Sequence, residues 1–551
     1  MKKSKIYFLA GFLSLILLSF VELEDTSDRF EVGKNLDIFT EVYKQVNSLY
    51  VDGTQPGELM KVGIDAMLKS LDPYTVYYPE SDIEDYKLMT TGQYGGIGAR
   101  IRKIDDFVVV GEPYVGFPAF KAGLRGGDVI LKVDGKDVKG KSTSDLSKIL
   151  KGNPGTSITV TIQRPGTEAD FEVSFKREKV QIKSVPYQGM ITENVGYIKM
   201  KSFTRNVSKE VKTAFLELKK NPNFQSLVFD LRGNPGGLLH EAINIVGLFT
   251  KKGVKVVETR GKIEEWTKIY KTLNAPLDKE IPIVILVDGG SASASEIVSG
   301  ALQDFDRAVI LGSNTYGKGL VQTTRNLKYN TSIKVTTAKY YIPSGRCIQA
   351  IDYAHKDEDG NPKKIPDSLL TEFKTQNGRL VLDGAGIKPD VEKDREKYGA
   401  ITRALLSKNH VFNFATKYVL EHDSISNAKN FRLTDDEYQS FITYLLDNEY
   451  DYQTSTGKGL KALKKSAEKD SILVDIASEI KLIEDKIILK KKLDLNKFKS
   501  QIKGFLEIEI ASRFFFQVGK IESSLGNDLF VDEAVEILTN KDRYTSILSG
   551  N

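Results

Sequence analysis

Cysteine is all but missing from this 551-residue chain. Cys347 stands alone, so no intramolecular disulfide can form, and an oxidising compartment is permitted without being used. Histidine is scarce too: there are four, and His355, His410 and His422 have no recognisable motif around them. An excess of one charge is also lacking. Lys and Arg number 79 against 74 Asp and Glu, a net charge of +5. The first 400 residues show no sustained basic stripe with interleaved aromatics, which argues against a nucleic-acid surface. The N-terminal apolar run, Ile6 to Val21, has sixteen uncharged residues, fewer than the about 20 that a full membrane span needs. Lys2, Lys3 and Lys5 precede it, and Glu22, Glu24 and Asp25 follow. That is the pattern of an export signal, although no small-x-small cleavage site stands before Glu22 and no cysteine is there to take a lipid. It predicts export, with residues 1–21 cleaved or kept as an N-terminal anchor and the rest of the chain in the periplasm or anchored facing it.

What the chain does have is several cores' worth of apolar residues: 40% hydrophobic against 28% charged over a length that implies three or four domains. Its most informative stretch is Gly289-Gly290-Ser291-Ala292-Ser293-Ala294-Ser295-Glu296. Before it, Ile281 to Val287 reads as a buried strand. After it, Ala294, Ile297, Val298, Ala301, Leu302 and Phe305 recur at helical spacing. A strand that turns on glycines into a helix presents unpaired N–H groups to developing negative charge, and three serines compete to be the nucleophile there. Ser293-Ala294-Ser295-Glu296 equally matches a capping box. Ala308 to Leu311 reads as the next strand, which puts Lys318, in Thr315-Tyr316-Gly317-Lys318-Gly319, at the same edge of a parallel sheet, where such sheets bind ligands. An ordinary lysine cannot accept a proton at neutral pH; bringing one to near 7 takes roughly 4.6 kcal/mol of burial or cationic repulsion. His240 is the rival base. Gly312 to Lys318 also fits P-loop spacing up to the lysine, but Gly319 stands where magnesium needs a hydroxyl, and Leu320 to Thr324 reads as strand.

These residues resemble the carboxy-terminal processing peptidases, also called tail-specific proteases. The resemblance rests on Gly290 to Glu296, Gly300 to Asp304, Gly317 to Gln322, Asp230-Leu231-Arg232-Gly233-Asn234-Pro235-Gly236-Gly237 and Tyr341 to Arg346, and spans roughly residues 40 to 395. It implies a serine endopeptidase with Ser293 as nucleophile, Lys318 as general base and Gln322 orienting the lysine. The oxyanion hole comes from the N–H of Ala294 and of Gly236 or Gly237. Glu296 lies near such a site in this family, and Tyr316 stands where phenylalanine is common. The resemblance implies neither metal nor cofactor.

A second module precedes the chemistry. Tyr94-Gly95-Gly96-Ile97-Gly98, Ala119 to Ile130, Val133-Asp134-Gly135, a helix from Ser144 to Leu150 and an alternating strand at Val160 to Gln163 follow one another in an order that resembles a PDZ domain. Gly95, Gly96, Ile97 and Gly98 take the place of the loop that captures a peptide carboxylate, beside a strand edge that pairs with the peptide. A Gly-Gly-x-Gly alone often only makes a turn. The expected partners are therefore proteins or peptides with free, apolar C-termini. A homo-oligomer is also allowed; nucleic acid is not expected.

The predicted fold class is a multidomain α/β protein: an α/β peptidase core of the Clp-protease/crotonase-like type, a preceding β-rich PDZ domain and a helical C-terminal region. The expected boundaries are a helical region at 31–88, the PDZ domain at 89–178, the core at 179–395 and helices at 396–551. In the last of these, Leu473, Ile476, Ile480, Ile483, Leu506, Ile510 and Phe514 recur at helical spacing, while Lys490-Lys491-Lys492 reads as a solvated face. A PDZ scaffold with an inactive or gated core, binding protein C-termini without cutting, is the alternative function.

Overall fold

Burial along the whole length of Ser226–Asp230 and Ile283–Val287 marks both as strands covered on two faces. In the computed structural model, which describes residues 23–550 apart from 449 and 451, they are the centre of a six-stranded sheet. Its order is Tyr187–Met190, Val195–Lys199, Ser226–Asp230, Ile283–Val287, Val309–Gly312 and Val391–Glu392. The first pair is antiparallel and the rest are parallel. Residues 1–21, read above as an export signal or anchor, lie outside the described residues.

Alternation along these strands divides the side chains between two layers. Leu227, Phe229, Ile283, Ile285 and Ile310 join the helices Val207–Leu218, Leu239–Phe249 and Ala294–Asp304 in one core. Val228, Val284, Leu286, Val309 and Leu311 face the other way, onto Phe530, Val531, Ala534 and Ile537 of the helix Leu529–Thr539. The end of the chain thus closes the second face of the sheet.

The PDZ-like sheet runs Ala99–Ile104, Phe107–Pro113, Val129–Val133, Ser157–Gln163, Phe171–Lys176, every pair antiparallel. Ile158, Val160 and Ile162 are buried on one face of Ser157–Gln163, as its alternation demands. The helix Thr143–Leu150 is capped reciprocally by Ser142 and Asp145. A two-stranded ribbon, Gln93–Gly96 against Glu178–Gln181, leads into and out of this sheet.

From Ala400–Ser407 to Lys499–Leu525 the chain is helical around a separate core that includes Phe414, Tyr438, Phe441, Leu506 and Ile510. Of the residues expected inside, Ile480, Leu506 and Ile510 are buried, whereas Ile483 is exposed. The helix Ala477–Lys497 buries only the side carrying Ile480, Asp494 and Leu495. A smaller compact unit is drawn from residues up to 81 together with 322–335. It holds the helices Leu23–Leu49 and Pro56–Lys69, and its strand Val76–Tyr78 pairs antiparallel with Ser332 to Lys334.

Candidate active site

Three serines share one loop, and their surroundings differ. Ser291 is buried; its Oγ donates to the Leu231 carbonyl at 2.9 Å and accepts the Asp288 N–H at 3.0 Å. Ser295 is buried and donates to the Asn234 carbonyl at 2.9 Å. Both hydroxyls are spent on holding the loop. Ser293 is half-buried and sits at φ 54°, ψ −112°, immediately before the helix Ala294–Asp304. A residue with a Cβ pays about 1–3 kcal/mol for such a conformation and keeps it only where the surroundings enforce it.

Glu296 does the enforcing. It is fully buried, and its Oε2 accepts the N–H of Ser293 at 2.7 Å and that of Lys318 at 2.9 Å. Its Oε1 accepts the Thr315 hydroxyl at 2.6 Å and the Gly317 N–H at 2.7 Å. The segment has the form of a capping box, but the glutamate's reach extends across to the lysine segment. Burial pushes its pKa up, while the four donors pull the other way.

Lys318 is half-buried between two glycines whose backbones are crowded. A Cβ on Gly317, at φ +83°, would lie 2.3 Å from Ala350 Cβ, and one on Gly319 2.8 Å from Gln349 N. The backbone on both sides of Lys318 is therefore closely packed. Gln349 Oε1 accepts the Gly319 N–H at 2.7 Å. Gln322 is the third residue of the strand Leu320–Asn326, so the lysine is followed by strand, as expected, and not by a P-loop helix. Tyr340, fully buried, donates its hydroxyl to the Ser293 carbonyl at 3.2 Å.

Opposite the serine lies the turn that follows Ser226–Asp230. A Cβ on Gly236, at φ +95°, would fall 2.9 Å from both Ser293 Cβ and Ala294 N. The sequence could not separate Gly236 from Gly237, and the two differ in their hydrogen bonds. The Gly236 N–H donates to Asn234 Oδ1 at 3.0 Å, whereas the Gly237 N–H meets no acceptor among the described residues. Ala294 opens its helix, where an N–H has no intrahelical partner. The turn is anchored by Asp230, which accepts from Tyr197 Oη at 2.6 Å and Arg232 Nη2 at 2.7 Å and pairs with Lys199 at 3.0 Å. Burial alone would raise that carboxyl's pKa, but Lys199 and Arg232 hold it well below the usual range. Arg232 continues to Asp528 at 2.7 Å.

In the PDZ-like module the four candidate residues separate. Gly95 and Gly96 belong to the ribbon, paired with Lys179 and Glu178, so only Ile97 and Gly98 form the turn. Their carbonyls accept the N–H groups of Ala119 and Tyr114, each at 2.8 Å. Gly98 sits at φ +73°, where a Cβ would be 2.4 Å from Phe117 Cβ. The Tyr94 ring lies against Gly96, and its phenol faces the N–H groups of Gly98 and Ala99, with burial pushing its pKa up.

Asn234, Asp288, Gln349 and Tyr340 were not anticipated. Asp288 Oδ1 joins the two turns by accepting the N–H groups of Gly233 at 2.9 Å and Gly290 at 2.8 Å. Its position directly after a strand was the one local hint. His240, the rival base, is exposed on the first turn of Leu239–Phe249, its ring 6.0 Å from that of Tyr270.

A family model described as peptidase family S41 matches residues 194–355, and a PDZ domain model matches 95–175. A third, the C-terminal helical domain of a probable PDZ-protease, matches 401–538. A carboxy-terminal-processing protease of Bartonella bacilliformis is 36% identical over 355 residues, 64% of this chain and 81% of the relative. A probable CtpA-like serine protease of Staphylococcus aureus is 36% identical over 427 residues, 75% of this chain and 73% of its own length. Among solved structures, a photosystem II D1 C-terminal processing protease is 29% identical over 64% of this chain and 92% of that one, with a TM-score of 0.34.

Proposed function

The chain belongs to the carboxy-terminal-processing protease family, and we propose that it cuts peptide bonds near the C-terminal tail of exported proteins by a Ser293/Lys318 acyl-enzyme mechanism. The observation that carries this reading is a single oxygen: Glu296 Oε2 accepts the main-chain N–H groups of both residues. Ser293 attacks the scissile carbonyl as Lys318, oriented by Gln322, removes its proton. The same amine then protonates the leaving nitrogen and activates the water that releases the acyl group. The oxyanion is held by the N–H groups of Ala294 and Gly237, each such donor contributing about 2.7–4 kcal/mol to the transition state. The Gly236 N–H, bonded to Asn234, shapes the hole without lining it.

Delivery falls to the PDZ domain. A free carboxylate docks at the N–H groups of the turn Ile97-Gly98, displacing the Tyr94 phenol, and the tail adds to the edge strand Ala99–Ile104. Residues 1–25 supply the basis for placing the enzyme outside the cytoplasmic membrane; protease accessibility in intact spheroplasts checks that. Exposed Phe30, Leu36, Phe39 and Val42 on the helix Leu23–Leu49 support a homo-oligomer, which light scattering on Leu36→Lys against the parent tests.

The deciding experiment is cleavage of an unstructured protein with an apolar free C-terminus by the full chain, beside Ser293→Ala, Lys318→Ala and Ser295→Ala. Loss in the first two with activity kept in the third is expected. Equal activity in all four would sink the Ser/Lys reading, and equal cleavage of an amidated tail would sink carboxylate capture.

A further inference from the structure

The helix Ala477–Lys497 turns one face inward and leaves the opposite one bare. Ile480 and Leu495 are buried, Leu495 in the core of the helical region. Half a turn away, Leu482, Leu489 and Leu493 are 57%, 58% and 54% exposed. At 3.6 residues per turn the three fall within about 40° of arc and span roughly 16 Å of the helix. Leucines scattered singly over a surface mean little, but a contiguous stripe marks an interaction surface. The turn that joins this helix to Ser455–Lys469 adds Ile472 and Val474, 44% and 87% exposed, where connections are ordinarily polar.

Lysines line both edges of the stripe. By the same spacing Lys486, Lys490 and Lys497 fall on one side, Lys481 and Lys492 on the other. Lys490 is held by Asp494 at 2.8 Å, whereas Lys481, Lys486 and Lys492 are exposed and meet no carboxylate among the described residues. Glu479 and Asp485 are the acidic residues that share this side, so the face is basic on balance. The kinds of residue present say what it binds. From 455 to 497 there is no aromatic residue and no arginine, the side chains that anchor protein interfaces. Lysine, which those interfaces deplete, supplies every cation. Aliphatic side chains flanked by lysines suit a lipid surface, where the leucines enter the headgroup boundary and the lysine stems hold their ammonium groups among the phosphates. Among the described residues no helix is long and apolar enough to cross a membrane, so a face of this kind lies along one.

We propose that the outer face of the helix Ala477–Lys497, with the turn beside it, docks on an anionic lipid surface. Leu482, Leu489 and Leu493 leave water for the headgroup boundary, and Lys481, Lys486 and Lys492 meet lipid phosphates. The contact is peripheral and reversible, since it combines a short apolar stripe with charges that salt screens. It is separate from tail capture by the PDZ domain, and it stands whichever serine is the nucleophile.

The test places a reporter in the stripe itself. The chain has one tryptophan, so the full chain carrying Trp266→Phe and Leu489→Trp fluoresces from this helix alone, and insertion of the segment Ile6 to Val21 by itself leaves the signal unmoved. With vesicles of equal parts phosphatidylcholine and phosphatidylglycerol, brominated in their acyl chains, a blue shift and saturable quenching are expected. Adding Lys486→Glu and Lys492→Glu should raise the lipid concentration for half-maximal quenching about tenfold or more. Salt at about 1 M, where the screening length is about 3 Å, should act in the same direction. No quenching by these vesicles would overturn the proposal. So would equal quenching by phosphatidylcholine alone with no effect of the two charge reversals. A blue shift brought by a glutamate-rich amphipathic peptide and by no vesicle would assign the face to a protein partner instead.

Discussion

Glu296 reaches four donors from two loops, and a substitution that keeps its shape exposes what the charge does. In Glu296→Gln an NH₂ group must face either the two N–H donors of Ser293 and Lys318 or the Gly317 N–H together with the Thr315 hydroxyl. A loss of about 1–3 kcal/mol of stability is expected, with kcat falling at least about tenfold while KM for a tail substrate holds, because the glutamate holds the backbones of Ser293 and Lys318 and, in the proposed mechanism, does not touch the peptide. Paired thermal melts and steady-state kinetics check both. Asp230 gives the pH dependence. Its folded pKa is depressed by Lys199 and Arg232 below the ordinary 3.8, so as the pH drops the unfolded chain binds this proton first. The stabilisation is complete above about pH 4 and is lost as pH falls from there. Asp230→Asn should therefore flatten the decline of Tm between about pH 4 and 2. It should also lower Tm at neutral pH, since Lys199 and Arg232 lose a buried partner worth about 3–5 kcal/mol when removed from one side. Residues of this kind divide by how local their signal is. Ser293 and Lys318 stand in recognisable spellings, whereas Asn234, which accepts from Gly236, is itself held by donating to the Met200 carbonyl 34 residues away, and Tyr340 reaches a partner 47 residues away.

At the scale of elements, turns were legible and their inner division was not. The strand, glycine turn and helix around Ser293 follow from a change of hydrophobic period that any window of the chain displays, and the helix Thr143–Leu150 from its own cap. Gly95, Gly96, Ile97 and Gly98 read together as one loop, yet the first two lie in the strand Gln93–Gly96, because their pairing with Lys179 and Glu178 is set some 80 residues downstream. The turn at Asn234 to Gly237 makes the sharpest prediction. Alanine at Gly236 would need φ +95° and would place its Cβ 2.6 Å from the Ala292 carbonyl. Since the hydrogen bond that the Gly236 N–H donates to Asn234 Oδ1 already fixes this backbone, the turn must move away from Ser293. Gly236→Ala should cut kcat at least about a hundredfold, in the manner of a lost oxyanion donor. The helix content in far-ultraviolet circular dichroism should stay that of the parent. Unaltered kcat would mean that this turn does not build the hole.

For the whole molecule, the sheet cannot be separated from the end of the chain. The strands Ser226–Asp230, Ile283–Val287 and Val309–Gly312 are apolar on both faces, and the sequence between residues 180 and 395 supplies helices for one. The cover for the other, the helix Leu529–Thr539, arrives well over 200 residues after the central strand Ile283–Val287, a distance across which periodicity carries no information. Composition signalled amphipathic helices there without saying what they face. Removal of residues 526–551 would expose Val228, Val284, Leu286, Val309 and Leu311, and each such side chain returned to water costs about 1.5–3 kcal/mol. The sum rivals the entire stability of an ordinary domain. It would also strip Asp528 from Arg232, the residue that holds Asp230 beneath the turn from Asn234 to Gly237. A chain ending at Leu525 should therefore be recovered insoluble or bind a hydrophobic dye strongly and show no cleavage. Asp528→Asn in the full chain should remain folded and lose activity in proportion to the disorder it brings to the turn. A soluble, active chain ending at Leu525 would show that the second face finds another cover.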